Sequence, residues 1–491
     1  MRKIKIQGTL FAPTSKGLFG RQAAKSFAGG GLTVVSKVLR KRSVRYGLLA
    51  AVSAAGFGLR AYRLGKWGFW RDEMFTVGDQ EDGFNYTPLR QSTSQYLIRR
   101  IVRSRGIDEF SARLVPALVG ALTVPLLYPF LTRIFSPQVA LLATTLLALS
   151  PWHLYWSQNA RFYTLLLLFY SLALFTFYLG LEEDNLLLLI SSLLFLGLAA
   201  RERLFALFFV PVVAAYLGIL LLPGYPRPRG LNVRNLLLFL LPGGIGAWLF
   251  ARPYLQDLPG WMEGFGRSNN NPLWLAGVFA YYLGLPVVFS AVAGAVYGFL
   301  RQDRALLFMA CGAFIPLGIL ISIAPVHYTA SRYGFVTLGS WLALASYGLI
   351  TLSHALLQRD RPFAAAGVLA LPFLQFLFDD IRYFSHNGKR ANWKEAFAVI
   401  GDRLQPNDRV FSTGPDLADH YLKNQTNHLD DLELAESPER DTRSWIVEDT
   451  DAAEKYPELG DWLAQHALHV ASFDVIVWLR NFKMRVYLVT A

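Results

Sequence analysis

Long apolar runs recur from about residue 44 to residue 378, and they constrain the fold more than any other feature of this chain. A helix needs about 20 apolar residues to cross the hydrocarbon core of a bilayer. Of the 491 residues, 53% are hydrophobic, more than the core of a soluble domain requires. The short alternating segments of a membrane β-barrel are absent. The sequence therefore predicts a polytopic α-helical membrane protein.

The apolar runs predict about eleven membrane-spanning helices, of which the fifth is short. They lie near residues 44–64, 113–133, 137–152, 161–180, 186–200, 204–222, 235–251, 274–300, 305–324, 335–357 and 362–379. Residues 44–379 are accordingly predicted to form the transmembrane domain. The lone cysteine, Cys311, lies in one of these runs, so neither an intramolecular disulfide nor a cysteine metal site is expected.

The formal charge of +13 is concentrated near the start of the chain, where residues 1–45 contain no Asp or Glu. A basic segment beside a first span is typical of a cytoplasmic anchor on anionic membrane lipid, rather than of nucleic-acid binding. Residues 1–43 are therefore predicted to be a flexible cytoplasmic N-terminus. An organellar transit peptide shares this composition, and that alternative stays open.

If the N-terminus is cytoplasmic, successive membrane crossings place the loops alternately outside and inside. The arginine-rich loops 226–234 and 354–361 then lie inside, as the positive-inside rule requires. The basic stretch 99–105 falls outside, where two amphipathic helices lying in the membrane interface would accommodate its arginines. The outer segments are 65–112, the turns at 153–160 and 201–203, 252–273, 325–334 and everything after 380, as expected for a plasma (inner) membrane protein.

The polar region 380–491 is predicted to be a small extracytoplasmic α/β domain. Strand-like and helix-like stretches alternate in it, which favours a mainly parallel sheet. The predicted strands are 408–413, 444–449, 474–479 and 485–490, and the predicted helices are 392–404 and 456–468.

Unusual polar residues collect at the outer ends of the predicted helices. Taken singly they have plain explanations, because an Arg or Trp at a helix end is usually an interfacial anchor and a lone His is usually packed. Their coincidence on one face is what indicates a site, since a charge at bilayer depth costs about 2.5–3.5 kcal/mol. The candidates are Arg71, Asp72, Glu73, His153, Gln158, Arg161, Tyr163, Arg201, His327, Arg332 and Tyr333.

Arginines at helix mouths suit a phosphate whose lipid tail lies between helices. A nearby carboxylate can act as a general base toward a hydroxyl or an amine. No P-loop and no dinucleotide-binding glycine motif is found, so the sequence shows no evident nucleotide-binding site. Together these features indicate sugar transfer from a polyprenyl-phosphate donor.

At these residues the sequence resembles the GT-C-fold membrane glycosyltransferases, a group that includes protein O-mannosyltransferases and aminoarabinose transferases of lipid A. The aromatic–x–Asp–Glu motif in 57–77 and the Ser-Gln-x-x-Arg-x-Tyr pattern in 150–179 carry the resemblance. Segments 109–135, 330–344 and 392–413 are similar to later elements of that family. The resemblance implies transfer to a protein, lipid or polysaccharide acceptor outside the cytoplasm.

The same resemblance implies roles for individual residues. Asp72 would be the catalytic acid that orients or deprotonates the acceptor, and Glu73 would hold Asp72 in place or help bind a divalent cation. The donor phosphate would be bound by Arg161 and Arg332, with Tyr163 and Tyr333 packing beside them, and His153 and His327 would belong to an acceptor or metal site. Whether any metal or other cofactor is required stays open.

Two departures from the family pattern concern the acceptor side. Only residues 87–97 stand where relatives have a Pro-Pro-Leu-Tyr-like element, and Arg71 precedes Asp72 where an apolar residue is common.

A transporter or flippase of a lipid-linked glycan is the main alternative function, and a scaffold that binds a partner through its tail is the third. Neither a repeat nor a pair of broken helices indicates the transporter.

Overall fold

A computed structural model describes residues 41–78, 92–264, 271–423, 427–429, 443–477 and 480–490. Most of the predicted basic N-terminus (residues 1–40) and the first part of the 87–97 segment lie outside the described residues.

The membrane region is built from helices that occur at every predicted position. Several begin at a side-chain cap, as at Ser136, Ser150 and Asn185, whose oxygens accept backbone amides of the first turn. In order they are Arg42–Ala61, Glu109–Ile134, Pro137–Leu149, Pro151–Ser157, Tyr163–Glu182, Leu186–Glu202, Phe209–Leu221, Val233–Gly264, Pro272–Leu283, Leu285–Arg301, Arg304–Ile323, Leu338–Leu357 and Pro362–Ser385. Short 3₁₀ turns at Leu204–Phe208 and Ser331–Thr337 lead into two of them.

Fewer helices qualify as single spans than the sequence predicts. Among the described residues, six are long and apolar enough to cross a membrane, or up to eight if each bent pair is one span. The bends are 54° between Pro137–Leu149 and Pro151–Ser157, and 99° between Pro272–Leu283 and Leu285–Arg301. Helix Leu186–Glu202 has only 17 residues. The chain is an integral membrane protein, but the predicted count of eleven spans is not confirmed.

Helix Tyr163–Glu182 is the centre of the membrane region, with 94% of its apolar window buried. The Thr176 hydroxyl donates to the Leu172 carbonyl within the same helix, 2.6 Å away, whereas the buried hydroxyls of Thr164 and Tyr170 have no partner among the described residues. The predicted Arg161–Tyr163 pair stands where this central helix begins. The polar residues are thereby fixed at one end of the best-packed helix.

Two short helices, Arg71–Val77 and Thr93–Arg105, lie in the first predicted outer loop. The second is amphipathic, with Ile98 and Val102 buried and Arg100 exposed. One of the two helices is thus amphipathic, and the interfacial pair remains a prediction.

In the described residues, the C-terminal region forms a five-stranded sheet, and it is mixed rather than mainly parallel. The strands are Arg409–Ser412 (β1), Asn427–His428 (β2), Ser444–Asp449 (β3), Leu468–Val477 (β4) and Arg480–Val489 (β5), and the helices are Trp393–Gly401, Pro415–Leu422, Thr450–Lys455 and Pro457–His466. The strand order is β2-β1-β3-β5-β4, with β1 parallel to β2 and β3, and β5 antiparallel to β3 and β4. β4 ends at Val477 and β5 begins at Arg480, and so short a connection permits only an antiparallel pair.

The sheet region shares a hydrophobic core with the first predicted outer loop. Phe69 is fully buried and belongs to the same cluster as Trp393, Leu417 and Val447. The predicted boundary at residue 380 falls inside helix Pro362–Ser385. The loop that carries Asp72 is therefore enclosed between the membrane helices and the C-terminal sheet region.

Candidate active site

Glu73 is locked in place by arginine. Its carboxylate receives two hydrogen bonds from Arg113, from Nε at 2.8 Å and from Nη2 at 2.7 Å, and both side chains are fully buried. The Ala160 amide donates to Glu73 Oε1 at 2.7 Å, and Arg390 Nε lies 3.9 Å from Glu73 Oε2. Arg113 also donates to the carbonyls of Trp67 and Gly68. Glu73 therefore joins the segment before helix Glu109–Ile134 to that helix and to the turn that precedes helix Tyr163–Glu182.

The charge of Glu73 is stabilised by the same contacts. Burial raises the pKa of the carboxyl, but Arg113, Arg390 and the Ala160 amide outweigh burial and hold the pKa below its ordinary value. The ionised carboxylate already accepts bonds at both oxygens, so its geometry is that of a structural ion pair.

Asp72 lies next to Glu73 but is differently placed. It is half-buried, and in the described part of the chain its carboxylate makes no ion pair. Its backbone carbonyl accepts a hydrogen bond from Arg161 Nη1 at 2.6 Å, and the same nitrogen donates to Thr76 Oγ1 at 3.1 Å. Asp72 is thus held by its main chain while its side chain stays available.

Four further predicted residues surround Asp72. Tyr163 is within electrostatic range of Arg332, Arg161, Tyr333 and Asp72. The rings of Tyr163 and Trp156 are 3.7 Å apart, and the Arg332 guanidinium lies 5.8 Å from the Tyr333 ring centre. The structure therefore gathers one acid, two arginines and two tyrosines that are far apart in the chain.

The other predicted candidates do not join this group. His153 is fully buried, with Nδ1 2.8 Å from Arg60 Nη2 and 3.1 Å from the Leu147 carbonyl. Gln158 connects two parts of the membrane region. Its amide donates to the Tyr62 carbonyl at 2.8 Å, and its Oε1 accepts from the hydroxyl of Tyr383 in the last membrane helix. His153 and Gln158 are thus buried, and neither is among the residues that line the cavity described below.

Arg71 and Arg201 are exposed, and His327 is half-buried. Arg71 lines the cavity described below but makes no ion pair with Asp72 within the described ranges. Arg201 stands at the end of helix Leu186–Glu202, beside the buried Glu202 that accepts the Ser94 amide. Arg71 alone of these three borders the cavity.

A cavity of about 310 Å³ lies between the membrane helices and the C-terminal sheet region. Aromatic side chains from both parts form much of its wall, and its basic residues include Arg71 and Arg332. The lining is Trp70, Arg71, Trp152, Tyr155, Trp156, Tyr282, Arg332, Lys389, Arg390, Ala391, Trp393, Thr413, Asp449, Asp451, Val477 and Phe482. A ligand with an anionic head and an apolar body matches this wall.

Lys389 and Arg390 are cavity residues that the sequence interpretation missed. Arg390 is almost fully buried, donates to the Gln158 carbonyl at 2.6 Å and lies 5.4 Å from the Tyr155 ring centre. Burial lowers the pKa of Lys389 to about 8, with Asp379 opposing the shift. The sequence did offer an indication of this pair. It lies about ten residues after the last predicted span, on the predicted outer side, where the positive-inside rule disfavours basic residues.

No metal centre is evident in the described ranges, where no group of three or more His, Cys, Asp or Glu side chains is placed to hold an ion. Glu73, one of the two suggested ligands, is committed to Arg113. These residues do not fit the divalent cation that the resemblance left open.

Comparison with known proteins agrees with this architecture. The sequence model of the family described as dolichyl-phosphate-mannose-protein mannosyltransferase matches residues 93–241. No curated protein sequence matches the chain significantly.

Solved structures share the fold at low sequence identity. ArnT from Cupriavidus metallidurans in the apo state superposes with a TM-score of 0.58 at 13% identity, covering 90% of this chain and 98% of that one. The same enzyme bound to undecaprenyl phosphate gives 0.58 at 13% identity, covering 91% and 98%. The apo oligosaccharyltransferase of Archaeoglobus fulgidus gives 0.51 at 13% identity, covering 86% and 71%. The resemblance to GT-C-fold membrane glycosyltransferases is confirmed.

Proposed function

We propose that this protein transfers a sugar from a polyprenyl-phosphate donor to an acceptor on the extracytoplasmic face of the membrane. One observation carries the proposal: among the described residues the Asp72 carboxylate forms no ion pair and lies within electrostatic range of Arg332, while the neighbouring Glu73 carboxylate is paired with Arg113. An available carboxylate close to a half-buried arginine is the pairing that base-assisted displacement from a phosphate requires. That ArnT binds undecaprenyl phosphate on a similar fold supports the choice of donor.

The donor phosphate is proposed to lie against Arg332 and the Lys389–Arg390 pair, all of which line the cavity. Arg161 takes a different part from the one the sequence suggested. Because its Nη1 is engaged by the Asp72 carbonyl and Thr76, it positions the acid as well as adding positive charge. Tyr163 and Tyr333 pack beside these cations.

The proposed reaction is a single displacement. The Asp72 carboxylate takes the proton of the acceptor hydroxyl or amine as that atom bonds to the anomeric carbon, and the bond from that carbon to the phosphate oxygen breaks. The phosphate leaves with the electron pair, and its new charge is stabilised by Arg332. Attack from the opposite side inverts the anomeric configuration. Since a base and a preplaced cation perform both roles, no cofactor is invoked.

The proposed topology places the N-terminus in the cytoplasm and the C-terminal sheet region outside, in a plasma (inner) membrane. The acceptor is a protein, lipid or polysaccharide, and the surrounding membrane lipid admits the donor's tail. This sidedness rests on the basic N-terminal segment and on the inner loops 226–234 and 354–361.

Replacing Arg332 by Gln is expected to weaken binding of undecaprenyl phosphate by about 10- to 100-fold, because a charge-assisted hydrogen bond contributes about 1.5–3 kcal/mol. Binding of the lipid to purified protein in nanodiscs measures this. Arg301→Gln is the matched control, since Arg301 is exposed at the far end of helix Leu285–Arg301. Equal affinity of the Arg332→Gln protein and the control would contradict the proposed phosphate contact.

Binding of the lipid phosphate is expected to weaken as the pH rises from 7 to 9. The pKa of Lys389 is lowered to about 8, so this side chain is largely charged at pH 7 and largely neutral at pH 9. Lys389→Arg, whose cation persists, is expected to flatten the profile. Titrating lipid affinity against pH for both proteins checks this, and identical profiles would remove Lys389 from the phosphate site.

The whole reaction is tested by giving purified protein in proteoliposomes a radiolabelled polyprenyl-phosphate sugar together with membrane extract. Transfer of label to an acceptor supports the proposal. Movement of intact donor between leaflets without its consumption would instead establish the rival lipid-glycan transporter.

A further inference from the structure

Tyr421 links the C-terminal sheet region to the backbone of Phe69, three residues before the proposed catalytic residue Asp72. This residue stands in helix Pro415–Leu422. The Phe69 amide donates to the Tyr421 hydroxyl at 2.7 Å, and that hydroxyl donates to Glu109 Oε1 at 3.0 Å. Burial raises the pKa of Tyr421, with Glu109 adding to the shift, so the hydroxyl keeps the proton that it donates.

The backbone at Gly68 is packed too closely against the sheet region to move independently. A Cβ at this position would lie 2.7 Å from Lys394 Cβ and 3.1 Å from the Tyr421 hydroxyl. Lys394 Nζ donates to the same Glu109 oxygen at 2.9 Å. Gly68 and Phe69 are therefore held between the first turn of helix Glu109–Ile134 and two helices of the sheet region.

These contacts at Gly68 and Phe69 lie four and three residues before Asp72. Helix Arg71–Val77 has only 7 residues, so its direction depends on the segment that leads into it. On its other side, Arg161 holds the Asp72 carbonyl. The Phe69 amide and the Asp72 carbonyl are thus two fixed points on either side of the turn that presents the carboxylate.

We propose that Tyr421 is a positioning residue through which the C-terminal sheet region holds Asp72 in its reactive placement. The inference rests on the proposed function, because it assigns Tyr421 a role in that reaction. It gives the sheet region a part in catalysis beyond covering the cavity. Tyr421 does not line the cavity and acts only through the backbone of the Asp72 loop.

The test is Tyr421→Phe, which removes one hydroxyl and keeps the ring. The kcat of sugar transfer is expected to fall about tenfold while the KM for the lipid donor stays within twofold, since Arg332 and Lys389 are untouched. Hydrogen exchange of the amides in 68–77 is expected to rise about tenfold. Tyr456→Phe is the matched control, because in the described part of the chain the Tyr456 hydroxyl has no hydrogen-bond partner.

A second variant, Glu109→Gln, keeps an oxygen that accepts the Tyr421 proton but weakens the bond, and a fall in kcat of about threefold is expected. The Glu109→Gln variant provides the test if the Tyr421→Phe protein does not fold. Unchanged exchange in 68–77 together with unchanged kcat would overturn the proposal, as would a parallel rise in donor KM. Because exchange is measured without substrate, raised exchange in a protein whose wild type transfers no sugar would contradict only the proposed function.

Discussion

Asp72→Asn is expected to lower the rate of sugar transfer by about 10²- to 10⁴-fold, the contribution typical of a positioned general base. Asparagine has nearly the same shape and keeps the backbone carbonyl that accepts the Arg161 hydrogen bond. Within the described ranges the Asp72 carboxylate makes no ion pair, so folding is expected to be little affected. Single-turnover transfer from a radiolabelled polyprenyl-phosphate sugar measures the change.

The same variant is expected to bind undecaprenyl phosphate with nearly wild-type affinity, because the cations of the proposed phosphate site remain. Asp461→Asn provides the matched control, since Asp461 is an exposed aspartate of helix Pro457–His466. Wild-type transfer by the Asp72→Asn protein would show that another group takes the acceptor proton. Loss of lipid affinity instead of rate would place Asp72 on the donor side.

The sequence predicts that the site residues lie close together, because it places all of them on the same side of the membrane. Asp72, Arg161 and Arg332 each follow or precede a predicted span, and helix parity puts all three outside. A polytopic fold leaves few places where polar groups at helix mouths can lie, so sidedness alone brings them near one another. The helices themselves were predictable for the same reason, from apolar length.

What the sequence could not predict is which polar residues are committed to structure. Asp72 and Glu73 look equivalent as neighbours in the chain, and contacts with distant residues distinguish them, above all the ion pair of Glu73 with Arg113, 40 residues away. His153 and Gln158 carry polar side chains into the interior, where Arg60 contacts His153 Nδ1 and backbone carbonyls accept from the Gln158 amide. Arg60 lies 93 residues from His153 and the Tyr62 carbonyl lies 96 residues from Gln158, so no local pattern shows these contacts.

The sheet shows another limit of sequence interpretation. Alternating strand-like and helix-like stretches favoured parallel pairing, and β1 does pair in parallel with β2 and β3. β5, in contrast, is antiparallel to both β3 and β4. The predicted strands 474–479 and 485–490 already leave too short a connection for a parallel crossover, so the antiparallel pairing of β4 with β5 could have been predicted from the sequence.

Glu73→Gln is expected to destabilise the protein by about 3–5 kcal/mol, because it leaves the fully buried Arg113 without its counter-charge. The matched control is Glu182→Gln: Glu182 forms a similar two-bond pair with Arg304, but both side chains are partly exposed, so a loss of at most about 1 kcal/mol is expected.

Thermal unfolding in detergent, followed by tryptophan fluorescence, compares the two Glu→Gln variants. Adding Arg113→Met to Glu73→Gln removes the unpaired charge and is expected to recover part of the stability, which a double-mutant cycle quantifies. A Glu73→Gln protein that unfolds like the Glu182→Gln control yet transfers no sugar would return Glu73 to the catalytic pair that the sequence suggested. Full stability loss with residual transfer in the folded fraction would leave Asp72 as the acid that acts on the acceptor.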